Sequence, residues 1–471
     1  MKIVLTGNDL TVAKVWEIAV NGAEVEISPE ANERLEASRK LVYELVDADV
    51  PVYGFNTGVG WNKDHTIAKE FFEDFNRKLI YSHSFGVEPE ASEAEVRAIM
   101  AIRLNCLLLG YTGIQPAVAR RYAELLNAGI HPVIPERGSV GEADITLLSH
   151  IGLAMIGEGD VNYKGRRISS AEAHKLAGLE PVKLGPKDGL AIVCSNSFSA
   201  GQAALALKEL KDLADTGEIV SALALEGLNG NVAPILPQTI GARPFEGLSE
   251  TAADMRDVLK GSYLWNVDAS RPLQDPLSFR VTVYGLSEAR RAVKDLEEQI
   301  LVQINSTDDN PATLLNAAED YKAESPQVAN YFVEGDGVKG AIIPSGNFNP
   351  LPVALALQRT SVAMAHLSHY AVQRTVHLSY DHFTGLTRFL SDPENKGHAF
   401  GAIQKSFMGL HVDNMALAQP VSLYGMPVAG EIEDTFTNLL QAAKRLEQID
   451  ANLFQIYSVE TLHAAQAIDL R

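Results

Sequence analysis

The chain has 471 residues, of which 46% are hydrophobic and 21% are charged, and this composition is typical of a globular protein with a large buried core. The formal net charge of -20 excludes a basic surface of the kind that binds nucleic acid, and it disfavours association with anionic membranes. Two cysteines do not make a disulfide framework, and the N-terminal MKIVLTGNDLTVAKV lacks the apolar core of a signal peptide. We therefore expect a cytoplasmic protein without a membrane-spanning helix.

The spacing of apolar residues predicts a mainly α fold. Short strands are predicted at IVLTG and AEVEIS near the N-terminus, and a hairpin is predicted over 161–169 with Lys164-Gly165 at its turn. Ser92 and Glu95 form a capping box, which predicts a helix that ends at Gly110. Apolar residues recur every three or four positions along two later stretches, which predicts two long helices with one buried face each: Leu286, Ala289, Val293, Leu296 and Ile300, then Phe436, Leu439, Ala443, Leu446, Ile449, Leu453 and Ile456.

Glycine, proline and asparagine are concentrated in irregular stretches between the predicted helices, at 51–64, 131–142, 160–189, 228–248, 264–285, 305–350 and 420–431. A helical scaffold with long loops usually places its functional site on the loops. We expect a smaller mixed region of loops, short strands and helices over residues 1–190, followed by a bundle of long helices over residues 191–471.

Several of these stretches contain residues with catalytic chemistry. VYGFNTGVG (52–60) lacks the Lys-Ser/Thr of a phosphate-binding loop, so it is better explained as a loop that presents Tyr53, a group able to act as an acid or a base. His83 ends an apolar helical stretch, where a structural role is the alternative. His366 and His369 stand three apart on a predicted helix, but a metal site would need a third ligand with suitable geometry.

Charged and amide residues occupy three further loops. Arg280 ends QDPLSFR, and its planar guanidinium suits the carboxylate of an amino acid. Asn310 and Phe348 belong to the asparagine-rich turns NSTDDNP and PSGNFNP, for which ordinary turn formation is the alternative. Glu433 lies in GEIEDTF, which is predicted to begin a helix, and the alternative role of its carboxylates is to complement the helix dipole.

The order of these motifs along the chain is more informative than any one of them. They are YGFNTGVG, NRKLIYSHSFG, VRAIMAIRLNCLLLGYTG, LNAGIHPVIPERGSVG, LLSHIGLAMIGEG, KDGLAI, QDPLSFR, NSTDDNP, SGNF and PVAGEIED. The series resembles the aromatic amino acid ammonia-lyase family, and within it the histidine-lyase branch, over residues 5–460. The resemblance implies a mostly helical homotetramer with active sites shared between subunits. It also implies elimination of ammonia from an amino acid to leave an α,β-unsaturated acid.

The resemblance assigns roles to individual residues. Tyr53 falls on the family's loop tyrosine, which serves as a catalytic acid or base, and Arg280 falls on the arginine that holds the substrate carboxylate. His83 matches the position that faces the substrate ring, and Phe348 matches the aromatic residue of the GNF turn. Glu433 aligns with the glutamate of the histidine-lyase pattern Gln-Glu-Asp, which can pair with an imidazole. His83 and Glu433 together make histidine the expected substrate.

The chain departs from the family where the family's electrophile forms. Family members have Ala-Ser-Gly directly after GSVG, and this tripeptide cyclises and dehydrates into methylidene-imidazolone (MIO). Here the chain reads Glu142-Ala143-Asp144 and is one residue shorter across the segment. Ala143 has no hydroxyl to lose, and Ser139 is followed by the branched Val140, a poor cyclising neighbour. We therefore expect no MIO, and Glu142 and Asp144 become candidate catalytic groups, with capping of the following helix as the alternative.

Other departures fall in the same predicted pocket. Leu277 replaces the tyrosine of QDxYSxR, Ile432 replaces the glutamine of Gln-Glu-Asp, and Thr435 stands where histidine lyases have histidine. Cys194-Ser195-Asn196 stands where Asn-Gly-Thr is expected, so Asn196 is a candidate to bind the substrate in place of the lost amide. Residues near the electrophile have changed, whereas the expected contacts to the substrate ring and carboxylate have not.

These observations lead to one main hypothesis and two alternatives. The main hypothesis is a lyase that converts L-histidine to urocanate and ammonia without MIO, with Tyr53, Glu142, Asp144 and Glu433 as catalytic groups. The second is a helical oligomer that binds histidine or a related amino acid without turnover. The third is a metal-dependent lyase on another amino acid, in which a divalent metal replaces the electrophile.

Overall fold

The computed structural model describes residues 1–47, 51–394 and 397–471. The chain is 58% helical, which confirms the predicted mainly α class. The helices are α1 (Val12–Ala19), α2 (Pro29–Asp47), α3 (Phe72–His83), α4 (Glu93–Leu107), α5 (Pro116–Ala128), α6 (Ile145–Met155), α7 (Ser170–Ala177), α8 (Asp188–Val193), α9 (Ser197–Leu228), α10 (Pro237–Gly241), α11 (Leu248–Val258), α12 (Leu277–Arg280), α13 (Thr282–Ile304), α14 (Pro326–Ala329), α15 (Leu351–Leu378), α16 (Asp381–Thr384), α17 (Gln404–Leu417) and α18 (Leu439–Leu470). The strands are β1 (Lys2–Leu5), β2 (Glu24–Ile27), β3 (Val87–Glu90), β4 (Ile130–Pro132), β5 (Pro135–Arg137), β6 (Asp160–Tyr163), β7 (Arg166–Ser169), β8 (Ala312–Leu315), β9 (Phe332–Gly335) and β10 (Val338–Ile343).

The chain packs into two compact units, each built from three segments. The first contains Met1–Leu205, Glu298–Ala354 and Val421–Gln441, and the second contains Ala206–Glu297, Leu355–Pro420 and Ala442–Arg471. The strands of the described residues all belong to the first unit. The expected division into residues 1–190 and 191–471 stays a prediction.

Small sheets organise the loops of the first unit. Strands β1 and β2 pair in parallel, and β6 and β7 form an antiparallel hairpin, which confirms the strands predicted from the sequence. Tyr163 pairs with Arg166 across a two-residue turn, whose Lys164 and Gly165 have φ of 49° and 75°. Positive φ at both turn positions suits the right-handed twist of the flanking strands.

Helix α4 begins as its sequence pattern predicts, and helix α13 buries the predicted face. At the start of α4 the Ser92 hydroxyl accepts from the Glu95 N–H at 3.3 Å, and the Glu95 carboxylate accepts from the Ser92 N–H at 2.7 Å. This reciprocal capping box satisfies two backbone donors that the helix itself cannot. On α13 the predicted stripe is buried at every position, namely at Leu286, Ala289, Val293, Leu296 and Ile300.

Two expectations about local structure were wrong. Helix α18 begins at Leu439, so Phe436 lies before it and the carboxylates of GEIEDTF do not start a helix. Instead, Val428 and Glu433 form an antiparallel bridge, with the Val428 N–H donating to the Glu433 carbonyl at 2.9 Å. The sheet β8-β10-β9 lies in the stretch 305–350 that was expected to be irregular. Its strands have four to six residues and no alternating burial, so they leave no period-two signal.

Among the described residues, one helical stretch has the length and composition of a membrane span. It runs from Asp188 to Leu228, and 94% of its most apolar window is buried inside the protein. Burial of this extent is the pattern of a core helix, and one such stretch is weak evidence for a membrane span.

Candidate functional site

The glycine-rich stretch after residue 51 folds into a compact loop. Thr57 and Thr66 form an antiparallel bridge that closes it. A Cβ atom on Gly58 would lie 2.3 Å from the Asn62 carbonyl oxygen, so this approach requires glycine. The glycines therefore serve a tight loop, as expected for a segment that presents a side chain.

The side chain that this loop presents is Tyr53. Its hydroxyl accepts a hydrogen bond from the Gly60 N–H at 2.8 Å, which fixes the ring relative to the loop. Burial raises the pKa of Tyr53 above its ordinary value of 10, and the negative charge of Glu433 acts in the same direction. Tyr53 therefore keeps its proton at neutral pH and is available as a donor.

Three predicted site residues line one cavity in the first unit. Tyr53, His83 and Glu433 all contribute to a cavity of about 510 Å³, together with the aromatic side chains of Trp61 and Phe75. This volume is in the range of sites for small molecules. The structure thus brings together two predicted catalytic residues and the predicted ring contact.

His83, at the end of α3, has a defined tautomer when it is neutral. Its Nδ1 lies 2.8 Å from the Leu79 carbonyl oxygen and 3.1 Å from the Ser82 hydroxyl. A carbonyl can only accept, so Nδ1 carries the proton and Nε2 is the acceptor. A histidine in this form suits a ligand ring that donates an N–H.

The segment 141–144 is a strained turn. Gly141 has φ of +89°, and a Cβ there would lie 2.2 Å from the Thr437 hydroxyl. Ala143 has φ of +68°, a left-handed conformation that costs a non-glycine residue about 1–2 kcal/mol. The Ala143 N–H donates to the Asn196 side-chain oxygen at 3.0 Å, and this bond helps to hold the turn.

Asp144 follows this turn and is completely buried. Its carboxylate accepts from the Ser139 hydroxyl at 2.6 Å and from both the N–H and the hydroxyl of Ser199 at 2.9 Å. Burial raises the pKa of Asp144 to about 6 despite these hydrogen bonds. Asp144 occupies the N-cap position of α6, but its side chain bonds the first turn of α9 instead. The Asp144 side chain therefore does not cap α6, as the alternative proposed, but bonds a backbone N–H at the start of α9.

Glu142 has a different environment from Asp144. Its side chain is half-buried and accepts a hydrogen bond from the Asn349 amide nitrogen at 3.2 Å. Burial raises the pKa of Glu142 to about 7, and the charge of Glu433 contributes to the rise. A carboxyl with this pKa can exchange a proton at neutral pH, which is the property of a general acid or base.

A buried layer of charged residues, which the sequence analysis missed, fixes Asn196. Asp308 accepts from the Asn196 N–H at 2.8 Å, from the Ser195 hydroxyl at 2.8 Å and from the Arg103 guanidinium at 3.0 Å. Lys187 and Asp309, both fully buried, form a second ion pair at 2.6 Å. The two aspartates of NSTDDNP were attributed to an ordinary turn. The sequence around these aspartates is polar, so it carries no local signal of their burial; the pairs depend on partners distant in the chain.

Asn196 and Asn310 both bond backbone groups. The Asn196 amide nitrogen donates to the Phe348 carbonyl at 2.6 Å, so this side chain ties the turn at 143 to the turn at 348. The Asn310 side-chain oxygen accepts from the Ser345 N–H at 2.8 Å. These contacts fit the turn-forming alternative, and substrate binding by Asn196, Asn310 and Phe348 stays a prediction.

Arg280 belongs to the second unit, at the end of α12. It lines a cavity of about 370 Å³ with Asp275, Asn231, Tyr284 and Leu277. Asp275 is almost fully buried, and burial raises its pKa, although the hydrogen bond from the Asn231 N–H and the charges of Arg271 and Arg280 act in the opposite direction. The planar guanidinium of Arg280 has the charge and shape that suit a carboxylate, and this role stays a prediction.

The residues that the structure describes contain no group of three or more histidine, cysteine, aspartate or glutamate side chains that could hold a metal ion. His366 and His369 were considered as metal ligands. The His369 Nδ1 instead lies 3.3 Å from the His411 Nε2, and the His411 Nδ1 lies 3.0 Å from the Ser368 hydroxyl. The arrangement is a hydrogen-bonded chain on two helices of the second unit.

Comparison with known proteins places this geometry in a family. A family model described as aromatic amino acid lyase matches residues 10–471. Histidine ammonia-lyase from Sorangium cellulosum is 34% identical over 475 residues, covering 99% of this chain and 89% of the relative. Histidine ammonia-lyase from Alkaliphilus oremlandii is 32% identical, covering 99% of this chain and 88% of the relative.

Solved structures give a similar result. Ergothionase from Treponema denticola, an ergothioneine-degrading enzyme in complex with desmethyl-ergothioneine sulfonic acid, has a TM-score of 0.91 at 40% identity, covering 100% of this chain and 90% of that one. Histidine ammonia-lyase from Trypanosoma cruzi has a TM-score of 0.86 at 25% identity, covering 100% and 85%.

Proposed function

Because the chain belongs to the aromatic amino acid lyase family, whose members act on small amino-acid substrates, we propose that it is a carbon–nitrogen lyase that works without MIO. In this proposal Glu142 is the group that removes the substrate's β-proton. The preferred substrate is a histidine derivative whose α-nitrogen is a trimethylammonium group. The observation that supports the proposal most strongly is the half-buried Glu142 next to Glu433, with its pKa raised to about 7.

The residues after GSVG do not fit the MIO group. Cyclisation needs a hydroxyl at the middle position and a backbone nitrogen free to attack, and Ala143 has no hydroxyl. The Asp144 N–H donates to the Ser195 carbonyl at 2.6 Å, and the Asp144 carboxylate is bonded to two serines. Asp144 is thus a buried, hydrogen-bonded acid close to the position where the family has a glycine whose backbone must move during cyclisation. We therefore route no step through MIO.

Without MIO, the proposed reaction is a direct β-elimination. Glu142 takes a proton from Cβ, and the electron pair of that C–H bond forms the Cα=Cβ double bond. The electron pair of the Cα–N bond leaves with the nitrogen, which departs as neutral trimethylamine. General bases of this kind contribute about 10²–10⁴-fold, and efficiency is greatest when the pKa of the base lies near the working pH. Glu142 meets that condition.

The missing electrophile favours a quaternary nitrogen over a primary amine. An α-ammonium N–H is far more acidic than the β-C–H, so a nearby base removes the N–H proton in preference to the β-proton. The neutral amine that results is a very poor leaving group. A trimethylammonium group has no N–H to lose and no lone pair to add to an electrophile. It therefore neither needs nor could use MIO.

The cavity has the chemistry that binds a quaternary ammonium. Such cations bind to the faces of aromatic rings and to carboxylates. The cavity is lined by Tyr53, Trp61 and Phe75 together with Glu433. Ergothioneine is the trimethylammonium betaine of a sulfur-substituted histidine. The 40% identity to an ergothioneine-degrading enzyme therefore supports a substrate of this class.

L-histidine is the second candidate substrate, supported by the names of relatives that are 34% and 32% identical. For either substrate His83 would accept an N–H from the ring, Arg280 would hold the carboxylate, and Tyr53 would donate a hydrogen bond. The homotetramer, the shared active sites and the cytoplasmic location remain part of this proposal, as implied by the family resemblance and the composition.

The test is product identification with single substrates. Purified protein is incubated with ergothioneine, with the trimethylammonium betaine of histidine, and with L-histidine, each with and without a chelator. We expect equal amounts of trimethylamine and an α,β-unsaturated acid, and no effect of the chelator. Tight binding without product would favour the binding protein, loss of turnover on chelation would favour a metal-dependent lyase, and ammonia from L-histidine alone would favour the second candidate. Each of these results would overturn the proposal.

A further inference from the structure

Asn349 lies on the turn that follows the GNF motif and contacts two groups at once. Its side-chain oxygen accepts from the Leu351 N–H at 3.0 Å, at the first residue of α15. Its side-chain nitrogen donates to the Glu142 carboxylate at 3.2 Å. All three residues belong to the first unit.

The first of these contacts fixes the direction of the second. The backbone N–H of Leu351 can only donate, so the Asn349 atom that faces it must be the oxygen. The amide nitrogen then faces Glu142, and its N–H groups can only donate. The turn therefore presents a fixed neutral donor to the carboxylate.

A charged neighbour, Glu433, affects the ionisation of Glu142 in the opposite direction from the neutral Asn349 donor. Glu433 approaches from the segment before α18, and its negative charge disfavours the ionised form of Glu142, as does burial. Asp144 lies two residues along the chain, but its carboxylate is directed to Ser139 and Ser199. The Asn349 amide donates to the Glu142 carboxylate, and a hydrogen bond to the charged form of a carboxylate favours that form.

We propose that Asn349 is a positioning residue that orients the Glu142 carboxylate and favours its ionised form. The inference deepens the proposed function, since it rests on Glu142 as the base. Asn349 does not itself exchange protons with the substrate. It holds one carboxylate oxygen so that the other is directed away from the turn.

The test is a series of substitutions at one position that keeps the contact to α15. Serine and aspartate can both accept from the Leu351 N–H, as good capping residues do. Asn349→Ser is too short to reach Glu142, and Asn349→Asp places a second negative charge beside it. The protonation midpoint of Glu142 is followed through its carboxyl stretch in difference infrared spectra, assigned with Glu142→Gln. Asn347→Ser, on the same turn, is the matched control.

We expect the midpoint to rise by about 1 pH unit in Asn349→Ser and by more in Asn349→Asp, because hydrogen bonds to charged groups are of that strength. The rising limb of the activity profile should move by the same amount, whereas Asn347→Ser should leave the midpoint in place. An unchanged midpoint in both Asn349 variants would overturn the inference. The infrared measurement needs no turnover, so a shifted midpoint without a shift in the activity profile would instead count against Glu142 as the base.

Discussion

Two acidic residues that are neighbours in the sequence have different environments. Asp144 is fully buried and accepts three hydrogen bonds from two serines, so its carboxylate is committed to holding the turn and the start of α9. Glu142 is half-buried, with one amide donor and one acidic neighbour. Their pKa values are raised to about 6 and about 7 by burial. We therefore assign proton transfer to Glu142 and a positioning role to Asp144.

The first prediction concerns Glu142→Gln. Glutamine keeps the size and can still hydrogen-bond Asn349, but it cannot take a proton, so turnover should fall by about 10²–10⁴-fold. Rates of product formation at saturating substrate measure this, and circular dichroism checks the fold. Glu33→Gln, at an exposed position on α2, is the control and should retain full activity. Equal activity of the two variants would remove Glu142 from the mechanism.

The second prediction concerns pH. Because the Glu142 pKa is raised to about 7, the carboxyl is mostly protonated below that pH and cannot act as a base. The ratio kcat/KM should therefore rise as the pH is raised through about 7. Tyr53 has a pKa above 10, so loss of its proton should lower activity only at higher pH. A profile that falls between pH 6 and pH 8 would mean that the essential group acts as an acid.

At the scale of elements, the turn 138–144 depends on glycine for two separate reasons. Gly141 has positive φ, and a Cβ there would overlap the Thr437 hydroxyl and approach the Asn438 nitrogen to 2.7 Å. Gly129, at the end of α5, also has positive φ, but no atom lies within 4 Å of its Cβ position. Alanine substitutions at Gly129 and Gly141 can therefore separate the cost of backbone strain from the cost of steric overlap.

The third prediction follows from this pair. Gly129→Ala should lower stability by about 1–2 kcal/mol, the cost of a left-handed non-glycine residue. Gly141→Ala carries the same cost plus the overlap, so its melting temperature should fall further. Thermal unfolding followed by circular dichroism compares the two variants. Equal losses would show that the turn can move away from Thr437, and the tight packing inferred for this segment would then be wrong.

The elements differ in how far the sequence determines them. The stripe on α13 and the hairpin β6–β7 could be predicted, because each depends on residues close together in the chain. The start of α18 could not, because the apolar series continues to Phe436 although the helix begins at Leu439. The short strands of the sheet β8-β10-β9 carry no period of their own and depend on partners distant in the sequence.

In the candidate site too, residues that lie in local motifs could be predicted, whereas contacts between distant positions could not. Motif order predicted Tyr53, His83 and Glu433, and these residues do line one cavity. The contact from Asn349 to Glu142 joins positions 207 apart, and the pairs Arg103–Asp308 and Lys187–Asp309 are also long-range. Side-chain contacts of this kind are set by the packing of several loops. No local pattern in one sequence encodes them.

At the scale of the whole molecule, composition and charge limit the kinds of ligand that the protein is expected to bind. A net charge of -20 disfavours nucleic acid as a ligand, whereas the proposed trimethylammonium group would meet the carboxylate of Glu433 in the cavity. The family assignment covers residues 10–471, so both compact units belong to it.

The most direct measurement is a competition between L-histidine and its trimethylammonium betaine at equal concentration, with ammonia and trimethylamine quantified from the same reaction. The account predicts trimethylamine in at least roughly 100-fold excess, which corresponds to about 3 kcal/mol of difference in activation free energy. Ammonia as the main product would contradict it, because the proposed mechanism without MIO gives a primary amine no route to leave.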